Sequence, residues 1–158
     1  MLIDERPTDL SESLVERLVH TFYGRIREDA VLGPIFEARL AGRWDAHLRK
    51  MVDFWSSIAL KSGRYGGRPH VAHQGLGLEP AHFARWLNLF EKTVHDVCAG
   101  AAATLFIDRA HRIADSLQIG LNIGPHALHF PPRSADARDR RAAGIATDER
   151  SPAVKTQR

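Results

Sequence analysis

The sequence predicts an all-α protein, and three observations carry that reading. Apolar residues recur at three- and four-residue steps in four separate stretches. No stretch alternates apolar and polar residues long enough to make a sheet, and no repeat recurs along the chain. Gly and Pro gather between the periodic stretches, where turns belong.

Residues 11–27 place Leu14, Val15, Leu18, Val19, Phe22 and Ile26 on one face, with Tyr23 at its border. Asp9 and Glu12 offer a capping box at the start. The segment from Asp29 to Phe36 reads as a corner, because Gly33-Pro34 breaks the helix and delivers Ile35 and Phe36 inward. Trp44, Leu48, Met51, Val52, Trp55, Ile58 and Ala59 predict a second long helix over 44–60, ending at Lys61-Ser-Gly63. On it His47, Met51, Phe54 and Ile58 form a side row, which puts His47 at the edge of a buried face. The connection between Phe36 and Trp44 is short, so the corner before His47 tilts that residue out of the interior or leaves it as a swinging gate.

Residues 65–86 are the longest interruption between two helical patterns. Gly66, Gly67, Pro69, Gly75, Gly77 and Pro80 leave room there for only a short helical turn around His73. Pro80 suits the first turn of the next helix, whose stripe is Phe83, Trp86, Leu87, Phe90, Val94, Val97 and Cys98, with Gly100 closing it. The last helix, over 101–121, carries Leu105, Phe106, Ala110, Ile113, Ala114, Leu117 and Leu121 inward. Beyond Pro125 the large apolar residues are Leu128, Phe130, Ile145 and Val154, scattered among Arg, Asp, Ala and Pro. Such a composition does not offset its ordering entropy, so the folded domain reads as 1–125 and residues 126–158 as a disordered tail. The alternative for the tail is a basic arm that touches an acidic partner.

Composition narrows the function. The net charge of +3 resides in the tail, because residues 1–125 hold 15 basic and 15 acidic side chains. A folded part without basic bias argues against nucleic acid as a partner. No apolar run approaches the roughly 20 residues that cross a membrane, and charge from Asp4 onward argues against a secretory signal. One cysteine, Cys98, on an apolar stripe fits a reducing cytoplasm and a buried hydrophobe.

Of nine histidines, His20, His95 and His111 read as surface residues, His126 and His129 belong to the tail, and His82 reads as solvent-facing. His47, His70 and His73 remain. Zinc asks for clustered Cys and His or His-Glu-x-x-His, and neither occurs. Di-iron bundles need repeated Glu-x-x-His, which is missing. There is no nucleophile elbow and no P-loop. Haem asks for something else: one neutral imidazole, large apolar walls, and a few polar groups aimed at the open iron position. Phe22, Phe36, Phe54, Trp55, Phe83, Trp86 and Phe90 supply walls. Tyr23, His47 and Trp86 supply polar groups from three different helices, and His73 sits on a turn facing them. Each taken alone is more often a hydrogen-bonded core residue; the joint pattern is what points to haem.

An ordered series of motifs then carries a resemblance. Phe22-Tyr23, Leu32-Gly-Pro-Ile-Phe36, Trp44-x-x-His47, Phe54-Trp55, Tyr65-x-Gly-x-Pro69-x-x-x-His73 and Phe83-x-x-Trp86-Leu-x-Leu-Phe90 span most of residues 14–121. In this order they resemble the truncated haemoglobins of the third group. The resemblance implies a two-over-two helical sandwich of the globin superfamily binding haem b (iron protoporphyrin IX). It implies His73 as the proximal iron ligand and Tyr23, His47 and Trp86 as the distal trio. Phe36 then packs on the ring, Phe54 and Trp55 line the pocket, and Tyr65 and Arg68 approach the haem propionates. The implied activity is binding of O2 and related diatomic gases (NO, CO) at a pentacoordinate iron, held by distal hydrogen bonds. The alternative is a haem enzyme, NO dioxygenase- or peroxidase-like, served by a separate reductase. A haem-free helical adaptor with plain core aromatics is the third reading. Oligomeric state has no signature in the sequence.

Overall fold

The computed structural model of the chain describes residues 3–124, so the tail read over 126–158 lies outside the described residues. Six helices follow in order: α1 (Glu12–Glu28), α2 (Leu32–Leu40), α3 (Trp44–Leu60), α4 (Pro69–Ala72), α5 (Pro80–Val97) and α6 (Gly100–Gly120). Among the described residues there is no strand. Helices α1 and α3 pack on each other, as do α5 and α6, and the two pairs stack through α1 on α5 and α3 on α6. This is the two-over-two sandwich expected from the sequence. No helix among the described residues is long and apolar enough to cross a membrane.

The core follows the periodic stripes. Leu14, Val15, Leu18, Val19, Phe22 and Ile26 of α1 are buried together with Phe90, Val94 and Val97 of α5 and Phe106 and Ala110 of α6. Burying such a side chain contributes about 1.5–3 kcal/mol relative to leaving it in water. At the centre three rings lie nearly parallel: Trp86 on Phe90 at 5.3 Å, and Phe90 on Trp55 at 5.0 Å. Cys98 is buried as expected, and burial raises its thiol pKa.

Four local readings are corrected. Ser11, rather than Asp9 with Glu12, caps α1, its hydroxyl accepting from the Leu14 N–H. Gly33-Pro34 does not break a helix but lies in the first turn of α2, where a missing N–H leaves no bond unmade. Gly33 is needed there for another reason: a Cβ on it would sit 2.8 Å from the Arg27 carbonyl oxygen, so α2 rests directly on the backbone of α1. Gly100 does not close α5, which ends at Val97; it opens α6 with φ +59°. Since α6 has no side-chain cap, its first N–H groups find acceptors in the N-terminal segment, Ala99 at Pro7 O and Ala102 at Thr8 O. His82 faces solvent only in part: half-buried, its Nδ1 accepts from the Glu79 N–H, closing a capping box on α5.

Candidate functional site

The end of α1, the start of α2 and the start of α3 bring three of the singled-out residues together. Tyr23 and His47 meet edge to face with centroids 5.0 Å apart. Phe36 lies 6.0 Å from Tyr23 and 6.5 Å from His47. The arrangement follows from α2, which carries Phe36 inward before the Ala41-Gly42-Arg43 turn restarts the helix at Trp44. Trp44 is fixed by its Nε1–H donating to Glu37 at 2.7 Å and by Arg27 above its ring at 4.5 Å. The expected outward tilt of His47 is not seen: its ring lies against Tyr23, Phe36 and Trp44, and its Nε2 is buried.

Trp86 stands beside this group rather than in contact with its polar tips. It packs edge-on against Phe22 at 5.4 Å, and Phe22 in turn holds Tyr23 at 5.1 Å. Phe54 and Tyr65 form a second aromatic pair further along α3, 5.0 Å apart. The Tyr65 ring folds over Gly67, where any Cβ would collide with its hydroxyl end. Trp55 lies one layer behind, buried between Phe90 and Phe106. Arg68 is exposed at the N-cap of α4 in extended conformation. His70 is exposed, its Cβ against Gly120 of α6.

His73 ends α4, half-buried, and its Nδ1 lies 2.5 Å from the Pro69 carbonyl oxygen. A carbonyl only accepts, so the proton of the neutral ring is on Nδ1 and the lone pair is on Nε2. Pro69 at the first helical position sets φ for the turn and places that carbonyl one turn below the imidazole. Ligating histidines are oriented by this kind of second contact.

The electrostatics favour neutral groups. Burial, and after it the positive charge of Lys50, holds His47 down at about 4. Burial alone pushes the Tyr23 phenol above its ordinary range, so it remains a donor at all working pH. The Nε2 of His47 is buried and has no hydrogen-bond partner. A buried polar atom left so costs about 1–3 kcal/mol, which marks a position kept for something other than stability. Around these groups Phe36, Met51, Phe54, Ile58, Trp86 and Leu87 are apolar and only half-covered by protein.

Two contacts that frame the site had no sequence signal of their own. Asp29 accepts from the Val31 and Leu32 N–H groups and pairs with Arg85, next to Trp86, at 2.8 Å. Arg39 donates to the Ala72 and Gln74 carbonyls on either side of His73. Arg39 is three residues beyond Phe36, a spacing that reads as one face only once α2 is known to be a helix.

No protein-family model matches the chain. A curated relative, group 3 truncated hemoglobin ctb of Campylobacter jejuni subsp. jejuni serotype O:2, is 31% identical over 113 residues, covering 69% of this chain and 89% of the relative. The crystal structure of group III truncated hemoglobin from Campylobacter jejuni superposes with a TM-score of 0.69 at 27% identity, covering 78% of this chain and 99% of that one. With a relative 31% identical over most of both chains and a fold matched over nearly the whole of that structure, the chain belongs to the group 3 truncated haemoglobins.

Proposed function

We propose that this chain holds haem b through His73 and binds a diatomic ligand, O2 first among O2, NO and CO, on the face bounded by Tyr23, His47 and Trp86. Membership of a haemoglobin family implies the haem; the residues present fit it. A metal carried in a macrocycle asks for a single protein ligand rather than a cluster of them. His73 offers the Nε2 lone pair, its ring held by Pro69. When bound, haem supplies an iron centre at which a diatomic ligand gathers negative charge on its outer atom. Phe36, Met51, Phe54, Ile58 and Leu87 would keep water from the bound group, and Tyr65 and the exposed Arg68 would donate to its carboxylates.

The observation that carries the proposal is the buried, unpartnered Nε2 of His47 beside a buried Tyr23 phenol. Tyr23 O–H is the first donor to a bound ligand and Trp86 Nε1–H the second. A hydrogen bond to a charged acceptor contributes about 1.5–3 kcal/mol, so release through two of them is slow. Slow release suits a reactor or sensor better than a carrier, and an NO dioxygenase- or peroxidase-like turnover extends the same reading with a separate reductase as electron donor.

The purified chain reconstituted with haem should show a Soret band in the ferric and ferrous states. His73→Ala should lose it or convert it to the spectrum of loosely held haem. A band unaffected by that substitution assigns the iron to another residue and removes the proposal.

A further inference from the structure

The turn that bears His73 has little to hold it. Helix α4 is four residues long, has no side-chain cap and packs chiefly on α6. The hydrogen bonds within residues 69–79 are local: Nδ1 of His73 to Pro69, the backbone turns, and His82 with Glu79. Among the described residues, those that reach this segment from elsewhere both come from one side chain. Arg39 of α2 donates through Nη1 to Ala72 O at 2.9 Å and through Nη2 to Gln74 O at 3.1 Å. The two carbonyls flank His73, and the planar fork of a guanidinium spans them as a lysine ammonium does not. The same short helix carries Phe36, which packs on Tyr23 and His47.

One rigid element thus touches both walls of the proposed site. We infer that Arg39 is a positioning residue, a strut from α2 that fixes the His73 turn against the Tyr23–Phe36–His47 wall and latches the slot against loss of its haem. The inference rests on the proposed haem binding for its second half only; the strut itself is a property of the chain. Breaking the fork frees both carbonyls at once, lets α4 move on α6, and gives the imidazole a range of distances and tilts instead of one.

Three measurements on the full-length protein test this. Amide hydrogen exchange of the haem-free chain should quicken at least ten-fold across residues 69–79 in Arg39→Ala and hardly change in Arg109→Ala, an exposed arginine on α6. Transfer of ferric haem to an excess of a scavenging apoprotein should quicken at least ten-fold in Arg39→Ala, with Arg39→Lys between it and the parent. The iron–histidine stretching band of the ferrous ligand-free protein should broaden or shift in Arg39→Ala, which mere loss of global stability does not produce. Unchanged exchange over 69–79 overturns the strut. Quickened exchange with unchanged haem transfer and an unchanged stretching band overturns the latch. A parent chain without a His73-dependent Soret band overturns the haem reading and the latch with it, while exchange still decides the strut.

Discussion

Tyr23 and His47 face each other with ring planes at 87° and centroids 5.0 Å apart, inside a shell of Phe36, Trp44 and Phe22. The phenol is the better donor of the two, since burial keeps it protonated while His47 stays neutral. Tyr23→Phe removes the hydroxyl and leaves the ring packing in place. Loss of one hydrogen bond to a charged acceptor, about 1.5–3 kcal/mol, corresponds to roughly ten- to hundred-fold faster O2 release. Stopped-flow measurement of O2 dissociation checks this, and Trp86→Leu should show an effect of the same sign. Unchanged rates in both variants would remove the distal donors from the account.

His47 also sets a pH dependence whose sign is opposite to that of a paired histidine. Its folded pKa is about 4, whereas an unfolded histidine titrates near about 6.5. Above that value both states are neutral and the residue contributes nothing. Between the two values the unfolded chain binds the proton first, so stability falls as pH falls, and below about 4 the loss is complete. After allowance for solvent that still reaches the ring, the loss is about 1–2 kcal/mol. Urea denaturation of the haem-free chain at about pH 7 and about pH 4.5, on either side of most of that window, should show a steeper acid loss in the parent than in His47→Leu. Equal slopes would mean that the imidazole is more open to water than its surroundings indicate.

Asp29 joins three elements through one carboxylate. It accepts two N–H groups at the start of α2 and pairs with Arg85 of α5, and the Arg85 guanidinium holds its pKa down at about 2. Asp29→Ala should cost about 1–2 kcal/mol in denaturant unfolding, the usual range for a lost cap. Asp29→Asn keeps an acceptor oxygen for α2 and loses only the charge, so it should cost less, about 0.5–1 kcal/mol. Equal losses in the two variants would assign the whole effect to the ion pair.

How much of this was legible in the sequence depends on what kind of force decides each element. Helix α3 runs over Trp44–Leu60, the span its apolar spacing predicts, because burial of one face decides it. Helix α5 begins at Pro80 as expected, because proline fixes φ at a first turn. Helix α2 is hidden because Gly33-Pro34 has two opposite meanings, and which applies depends on whether α1 passes beneath it. The inward turn of His47 depends on the same hidden helix. Tyr23, Phe36 and His47 come together, whereas Trp55 stands in the core behind them and Trp86 is separated from Tyr23 by Phe22. Arg39 and Asp29 bond backbone groups far along the chain, and no periodicity in sequence marks such a contact.

Two glycines of the α1–α2 corner should respond to alanine with opposite signs. Gly24 lies within α1, exposed, and a Cβ there meets no atom within 4 Å. Alanine at such a helical position gains about 0.5–1 kcal/mol, chiefly by restricting the unfolded chain. Gly33 has the reverse surroundings, for its Cβ would lie 2.8 Å from Arg27 O and 3.2 Å from Ile26 O, both of them backbone atoms that cannot swing away. Gly33→Ala must therefore lift α2 off α1 and carry Phe36 away from Tyr23, at a cost of about 1–3 kcal/mol as for other overpacked sites. Thermal or denaturant unfolding measures the two effects, and their difference in sign is the informative quantity. If Gly33→Ala proved as harmless as Gly24→Ala, α2 would not rest on the backbone of α1, and the inward course of Phe36 and His47 would need another cause.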